Sequence, residues 1–129
     1  MFVSIGNSRM DKKFNCTDMT YEDFVSRLSK TKYTAETMEQ YRKMPKGQQD
    51  NIKDVGGFVL GKLKGGRRKK DCVISRSAIT LDMDYGTQSI IDELEMFFDM
   101  KMVVYSTHKH TPEKPRLRII IFLTRDVTP

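Results

Sequence analysis

Asp82 and Asp84 are the residues of this sequence whose type and spacing best fit a chemical role. They close an apolar, β-branched stretch, residues 76–86, which predicts a β-strand running into a Tyr-Gly turn. Because side chains alternate along a strand, both carboxylates lie on one face. Two like charges this close repel each other unless a cation lies between them, and the usual cation is a divalent metal with oxygen ligands. On its own, however, so short a pattern more often marks a strand end whose acids face water.

A site on this strand needs neighbouring elements to complete it, and the sequence after residue 86 predicts them. Residues 90–98 have the spacing of an amphipathic helix. Apolar runs at 102–106 and 117–123 predict two further strands, so the order is strand, helix, strand, strand. We expect the apolar stripe of the helix to be core; it comprises Ile90, Ile91, Leu94, Phe97 and Phe98.

Polar side chains lie near the ends of these two later strands. Alternation places Ser106 and His108 on one face of the first strand, and Arg116 and Arg118 on one face of the second. We expect these faces to coincide with the face of the two aspartates. Carboxylates for a metal beside bases for phosphates form the composition that phosphoryl-transfer chemistry requires.

A basic segment with two glycines lies earlier in the chain, after a predicted strand at 58–63. It predicts a flexible, positively charged hairpin loop. Such a loop either stays solvated and keeps the protein soluble, or binds phosphates with release of their counterions, and the residues favour neither. The candidate nucleic-acid contacts are Lys64, Arg67, Arg68, Lys69, Lys70 and Arg76. Arg76 could also pair with one of the aspartates when no metal is bound.

The N-terminal part of the chain predicts packing elements and no chemistry. Residues 2–5 indicate a short strand and residues 6–15 a polar connector. Thr20 has an acidic residue three positions later, which predicts a helix N-cap. A second helix is expected from Thr34, and a third helical piece after Pro45.

Composition narrows the class of protein. The chain has 129 residues, of which 38% are hydrophobic and 31% charged, which suits one small domain with a modest core. Its formal charge of +6 makes a polyanion the natural partner. Cys16 and Cys72 are too few for a disulfide framework, so a reducing cytoplasm is expected. No apolar run has the length of a bilayer span, and no signal-peptide pattern is present, so no membrane partner is expected.

Two sets of motifs resemble a known class of protein. Leu81-Asp82-Met83-Asp84, followed by Tyr105-Ser106-Thr107-His108, resembles the first two motifs of archaeo-eukaryotic primases and primase-polymerases. Over nearly its whole length the chain is similar to the N-terminal part of phage and mobile-element replication proteins of the virulence-associated protein E type. The strings that carry this second resemblance are Asp-Val-Gly-Gly-Phe at 54–58, Gly-Gly-Arg-Arg-Lys at 65–69, Ser-Arg-Ser at 75–77, and Tyr-Ser-Thr-His-Lys-His at 105–110 through Pro-Arg-Leu-Arg at 115–118.

The resemblance implies an α+β fold with a mainly antiparallel sheet. Its core would be a primase palm built on an RNA-recognition-motif-like βαββ unit. We expect residues 1–129 to form a single, incomplete primase-polymerase domain. Within it, residues 1–57 would be an N-terminal extension of strand and helices, and residues 58–129 the palm with its basic loop.

The resemblance also implies roles for individual residues. Asp82 and Asp84 match the acidic pair that binds Mg²⁺ or Mn²⁺. Ser106 and His108 match the Ser-x-His motif, whose histidine contacts the phosphates of the incoming nucleotide. Arg116 and Arg118 match basic positions of this branch, and we assign them to nucleotide binding from their charge and strand face. Asp82, Asp84 and His108 are then the catalytic residues.

The implied reaction is nucleotidyl transfer, in which a 3′-hydroxyl attacks the α-phosphate of a nucleoside triphosphate on a single-stranded DNA template. The partners would be that template, the triphosphates and a helicase region in the same full-length chain, in the cytoplasm of a bacterial host. The family also has a third acid on a later strand. The only acid available here is Asp126, which we expect in a loop and do not assign to the site. We expect the chain to be a piece of a longer protein, whose activity as a fragment stays open.

Two other functions stay open. His108 and His110 would suit a metal-dependent nicking enzyme of the rolling-circle type, although Lys109 between them fits poorly and Tyr41 is the only helical candidate for its nucleophile. A non-catalytic nucleic-acid-binding module of RNA-recognition-motif shape would instead stack bases on exposed aromatic residues. Of these, the strands offer only Tyr105 and Phe122.

Overall fold

The computed structural model describes residues Met1–Pro129 and divides them into two compact units. The first unit comprises Met1–Ser77 together with Arg125–Pro129, and the second comprises Ala78–Thr124. The chain contains two three-stranded sheets and four α-helices, so the predicted α+β class is confirmed. None of the helices combines the length and apolar character that a bilayer span requires.

The sheet of the first unit has the order β2-β1-β3, with β1 (Phe2–Gly6) in the centre. β2 (Asn15–Asp18) and β3 (Gly57–Leu60) both run antiparallel to it. The sheet packs on an apolar core, because side chains of β1 and β3 that point inward are apolar and the polar exception, Ser4, donates its hydroxyl to Gly61 O at 2.9 Å. The largest buried members of this core are Val3, Phe14, Phe24, Tyr41, Leu60 and Leu63.

Three short helices complete the first unit: α1 (Tyr21–Leu28), α2 (Met38–Lys43) and α3 (Lys46–Ile52). The predicted N-cap of α1 is confirmed, since Thr20 accepts a hydrogen bond from the backbone of Asp23. α2 begins later than the predicted Thr34. Its capping box is formed by Thr37 and Gln40, whose reciprocal bonds satisfy the first backbone donors.

β3 is an edge strand of the N-terminal sheet. The sequence divided the chain between residues 57 and 58 and assigned the strand after that point to the palm. The structure pairs Phe58 with Ile5 and Leu60 with Val3, so this strand belongs to the N-terminal sheet. The compact units therefore separate between Ser77 and Ala78. β2 was not predicted either, because its four residues are polar and all exposed, with no alternation to mark a strand.

The basic segment is a pair of short 3₁₀ turns rather than a simple hairpin loop. The turns span Lys64–Gly66 and Lys70–Cys72, and Leu63 pairs with Val73 across them. β3 ends at Leu60 instead of continuing to residue 63. Gly61, which follows it, has φ +140°, and a Cβ at this position would clash with Ser75 O, so the chain must turn here on a glycine.

The predicted order of strand, helix, strand, strand is present: β4 (Arg76–Met83), α4 (Ile90–Phe97), β5 (Met102–Ser106) and β6 (Leu117–Val127). These elements form the second unit, except that the first two residues of β4 and the last three of β6 belong to the first unit. β6 is the central strand of the order β4-β6-β5. β5 and β6 are antiparallel, with Tyr105 opposite Arg118. β6 is longer than the predicted 117–123, because four further residues continue its extended backbone.

The apolar stripe of α4 is not core in this structure, which corrects the expectation above. No residue of the helix is buried, and Ile91, Phe97 and Phe98 are 40%, 71% and 45% exposed. An amphipathic period shows that one face of a helix is apolar, but it does not show what covers that face. The buried hydrophobic residues of the second unit lie on its strands instead, at Ala78, Leu117, Ile119 and Ile120.

Candidate active site

The two aspartates lie at the C-terminal end of β4, with Asp82 inside the strand and Asp84 directly after it. Their side chains are 60% and 61% exposed, so both carboxylates are open to a ligand from solvent. Met83, between them, is less exposed than either, but Leu81, which alternation places on the face of Met83, is 47% exposed. The placement of both carboxylates on one face stays a prediction.

Each aspartate binds one arginine of the adjacent chain segment. Arg118 Nε donates to Asp82 Oδ1 at 2.6 Å, and an Arg116 Nη donates to Asp84 Oδ1 at 3.1 Å. The pairing runs in opposite directions along the two segments, as it does between antiparallel strands. These four residues are called the acid–arginine cluster below. Their formal charges cancel, which removes the repulsion between the two carboxylates without a metal.

Tyr105 joins this cluster from β5, a residue that the sequence reasoning had placed on the other face from the polar groups. It lies opposite Arg118 in the register of β5 and β6, and an Arg118 Nη donates to Tyr105 Oη at 3.5 Å. Burial opposes the charge of the Arg118 guanidinium, but its bonds with Asp82 and Tyr105 outweigh burial and raise its pKa above the ordinary arginine value. These contacts therefore favour the charged form of Arg118.

Arg116 is held at its backbone as well as at its side chain. Its backbone N–H donates to His110 Nδ1 at 3.2 Å, and its carbonyl accepts from Thr107 N at 2.9 Å. Its guanidinium carbon lies 5.9 Å from the centre of the Tyr85 ring, within cation–π range. The connection between β5 and β6 therefore fixes the position of this arginine. His110 accepts this backbone bond from within the connection between β5 and β6.

Ser106 does not lie on the face of the arginines, which corrects the predicted convergence. It is opposite Leu117 in the register, one position away from the Tyr105–Arg118 pair, and a shift of one residue moves a side chain to the other face of a sheet. β5 ends at Ser106, so His108 lies in the following turn, which His110 N closes by donating to Thr107 O at 2.9 Å. The alternation of a strand therefore does not determine the direction of His108.

The acid–arginine cluster has too few ligands for a metal site made of protein groups alone, but it has enough for an ion that is also bound by substrate phosphates. The structure contains no group of three or more His, Cys, Asp or Glu side chains that could hold a metal ion. A protein-only cage for Ca²⁺ or Zn²⁺ is thus absent. Mg²⁺, by contrast, is commonly held by one or two carboxylates together with the phosphates of a substrate. Asp82 and Asp84 supply that donor set, provided that a cation competes successfully with the arginines.

Asp126, the acid left unassigned by the sequence, lies inside β6 and not in a loop. It belongs to the first unit, where it accepts hydrogen bonds from Ser77 Oγ at 2.7 Å and Ser75 Oγ at 2.9 Å. The bond from Ser77, supported by that from Ser75, lowers the pKa of its carboxyl group. Both serines are buried, so this acid has a structural use in the first unit.

The predicted nucleic-acid contacts also lie in the first unit. Four of them line a cavity of about 190 Å³, whereas Lys64 and Arg67 do not. The four are Arg68, Lys69, Lys70 and Arg76, and the other lining residues are Val59, Leu63 and Val73. This site is called the basic cavity below. Arg76 is part of it and is not the partner of either aspartate, whose partners are Arg116 and Arg118.

Comparison with known families and proteins places this arrangement in context. The model of the VapE N-terminal domain matches residues 1–129. No curated protein and no solved structure gives a match. The family match covers both compact units, and with them the acid–arginine cluster and the basic cavity.

Proposed function

This chain belongs to the family of VapE N-terminal domains, and on that premise we propose that it performs metal-dependent nucleotidyl transfer as the primase part of its protein. Membership places it with replication-associated proteins of the phage and mobile-element type. The observation that carries the finer proposal is the acid–arginine cluster. Two exposed carboxylates at the end of a strand, each beside a guanidinium, supply one set of ligands for a cation and another for phosphates.

The proposed roles follow from the chemistry of each group. Asp82 and Asp84 would hold Mg²⁺ or Mn²⁺, which supplies charge neutralisation at the α-phosphate and activation of the attacking 3′-hydroxyl. When the carboxylates hold the ion, Arg116 and Arg118 would exchange a carboxylate partner for triphosphate oxygens, to which guanidinium groups also donate charge-assisted hydrogen bonds. His108 donates a hydrogen bond to the triphosphate from the turn after β5. Ser106 has no part in this site, since it faces away from the arginines.

Tyr105 and Tyr85 are further members of the proposed nucleotide site. Tyr105 holds Arg118 from the side opposite Asp82, and so positions the guanidinium when the aspartate is engaged elsewhere. The Tyr85 ring is 93% exposed and lies beside Arg116, which leaves one of its faces open for stacking on a base. The single-stranded DNA template and a helicase region of the same protein are the proposed partners.

The experiment that tests this function is binding of a fluorescent nucleoside triphosphate in the presence and absence of Mn²⁺. Asp82→Asn should weaken the Mn²⁺-dependent binding more than about tenfold, because loss of even a supporting group of a metal site costs that much. Asp92→Asn, an exposed carboxylate of α4 in the same unit, is the matched control and should bind as the wild type does. Primer synthesis on single-stranded DNA by the full-length protein should be lost with Asp82→Ala. Unchanged Mn²⁺-dependent binding in Asp82→Asn would remove the aspartates from the proposal.

A non-catalytic nucleic-acid-binding module is the second candidate, and one observation favours it. Both aspartates are already neutralised by arginines, and no third protein ligand is present. A module of this kind would bind single-stranded DNA with a strong dependence on salt but would bind triphosphates equally well with and without Mn²⁺. The titration above separates the two candidates. The structure does not favour the third function, a rolling-circle nicking enzyme. That function needs His110 as a metal ligand, but His110 Nδ1 already accepts a hydrogen bond from Arg116 N.

A further inference from the structure

The residues that line the basic cavity of the first unit have the composition of an anion-binding site. Its floor is formed by the apolar side chains of Val59, Leu63 and Val73, and its rim by four cationic residues. No carboxylate lines it. The chain contains 17 acidic residues, yet none of them lies beside these four cations in the lining of the cavity. Convergence of like charges is unfavourable unless an anion from outside the chain is present to neutralise them.

None of the four cations has a carboxylate partner of the kind that the arginines of the second unit have. Arg116 and Arg118 bind Asp84 and Asp82, whereas Lys69, Lys70 and Arg76 bind no carboxylate. These three side chains are exposed at the rim. They can therefore bind an incoming anion without first breaking an ion pair.

The fourth cation, Arg68, is fixed in place. Its guanidinium lies 5.2 Å from the centre of the Phe14 ring and donates to Arg9 O at 3.3 Å. The backbone beneath it is fixed too, because Phe14 N donates to Gly66 O at 2.8 Å and Lys69 N donates to Arg67 O at 2.9 Å. A preorganised frame of this kind lowers the ordering cost of binding.

The size of the cavity limits what it can take. Pockets for drug-sized ligands and cofactors measure roughly 300–1,000 Å³, and this cavity of about 190 Å³ is smaller. It accommodates a phosphate group better than a whole nucleoside triphosphate. The apolar floor then contacts the sugar or base edge attached to that phosphate.

We infer that the basic cavity binds a backbone phosphate of a single-stranded nucleic acid, and that it does so without a metal. The choice of single-stranded DNA as the polyanion rests on the function proposed above, but the phosphate site itself does not. Arg68 forms the fixed side of the site, while Lys69, Lys70 and Arg76 close on the phosphate from the rim. The site belongs to the first unit and is separate from the acid–arginine cluster of the second.

The test is fluorescence anisotropy of a labelled oligothymidine with the full chain, in EDTA, over a series of salt concentrations. Lys69→Gln and Arg76→Gln should each weaken binding about fivefold at 0.1 M salt and reduce the slope of log K against log salt by about 0.7, the values expected for one lost phosphate contact on a single strand. The matched controls are Lys30→Gln and Arg27→Gln, exposed cations of the same unit outside the cavity. Equal losses in the controls would show an effect of net charge alone and would overturn the site.

Two further arms identify the ligand and separate this inference from the proposed function. Inorganic phosphate and thymidine monophosphate are added as competitors. Displacement of the oligothymidine by either at equal phosphate concentration would assign the cavity to a free anion and overturn the nucleic-acid inference.

Asp82→Asn, the variant that tests the proposed function, should keep the EDTA-resistant binding of oligothymidine. Loss of Mn²⁺-dependent triphosphate binding in Asp82→Asn with normal oligothymidine binding supports both proposals, whereas normal triphosphate binding with the losses in Lys69→Gln and Arg76→Gln supports the basic cavity alone. Unfolding curves establish that each variant is folded.

Discussion

Arg118 Nε lies 2.6 Å from Asp82 Oδ1, which is the shortest contact within the acid–arginine cluster. The guanidinium therefore holds the same carboxylate to which the proposed function assigns the metal ion. A cation and an arginine cannot share this oxygen at full strength, so the two compete. Under the proposed function, this competition would make the cluster a switch between the observed ion-paired state and a state that binds metal and triphosphate.

The competition predicts opposite effects of one substitution on two ligands. Arg118→Gln should tighten binding of Mn²⁺ alone by up to about fivefold, because an exposed ion pair is worth at most about 1 kcal/mol. The same substitution should weaken binding of the Mn²⁺–triphosphate complex, since a phosphate ligand is lost. Isothermal titration calorimetry with MnCl₂, and then with nucleotide added, measures both effects.

Arg27→Gln is the control for this prediction, since Arg27 is an exposed arginine of α1 in the other unit. It changes the net charge by the same amount without touching Asp82. Weaker or unchanged binding of Mn²⁺ alone in Arg118→Gln would mean that Asp82 is not a ligand of the ion. Tighter binding in both variants would mean that only net charge had changed.

The sequence was sufficient for the order of the elements from β4 to β6, because the βαββ order follows from the periods of the side chains. It also singled out Asp82 and Asp84 as a pair, whose role as metal ligands stays a prediction. The sequence did not predict the ion-pair partners of the two acids. It assigned Arg116 and Arg118 to nucleotide binding, and it named only Arg76 as a residue that could pair with an aspartate.

Register is the information that the sequence lacked. Alternation shows that Tyr105 and Ser106 point to opposite faces, but not which of them faces the arginines. The long connection between β5 and β6 does not fix that choice, whereas a two-residue hairpin turn would have done so. A shift of one residue exchanged Ser106 for Tyr105 in the cluster. β3 likewise pairs with β1, which is far from it in the sequence, and no local sequence pattern predicts such a pairing.

Asp126 should matter for stability and not for metal binding. Ser77→Ala removes the shorter of its two hydroxyl bonds and should cost roughly 1 kcal/mol of unfolding free energy. Asp126→Asn should also destabilise the protein, while binding of Mn²⁺ and triphosphate stays as in the wild type. Urea unfolding and the nucleotide titration measure the two effects. Loss of Mn²⁺-dependent binding in a folded Asp126→Asn would instead make this residue the third acid of the site.

Asp50 should give the protein a dependence on acid pH. Hydrogen bonds from the Lys53 and Lys46 side chains lower the pKa of its carboxyl group from 3.8 to about 2. A group whose pKa is lower in the folded state contributes stability above its unfolded pKa, and this contribution is lost as the pH falls towards the folded value. The melting temperature of the wild type should therefore fall between about pH 4 and pH 2.

Asp50→Asn tests this assignment. The variant should be less stable than the wild type near neutral pH, and the difference should shrink as the pH falls through that window. Asp71→Asn, an exposed carboxylate outside the Lys46–Lys53 cluster, is the control. A difference between Asp50→Asn and the wild type that stays constant from neutral pH to pH 2 would contradict the ionic origin of the effect.

Gly65 and Gly66 should differ sharply in their tolerance of a side chain, although both have positive φ, at 60° and 70°. A Cβ on Gly65 meets nothing within 4 Å, so Gly65→Ala should cost only the backbone strain, about 1 kcal/mol. A Cβ on Gly66 would lie 2.4 Å from Phe14 O, a backbone atom whose residue also bonds Gly66 O. Gly66→Ala should therefore cost clearly more, about 2 kcal/mol or above.

The consequence of this difference extends to the basic cavity, because the Phe14–Gly66 contact also supports Arg68. Gly66→Ala should weaken EDTA-resistant binding of oligothymidine at temperatures where the variant is still folded, and Gly65→Ala should not. Urea unfolding gives the two free energies, and anisotropy gives the two affinities. Equal destabilisation at both glycines would show that positive φ, and not the close approach of Phe14, decides the cost at Gly66.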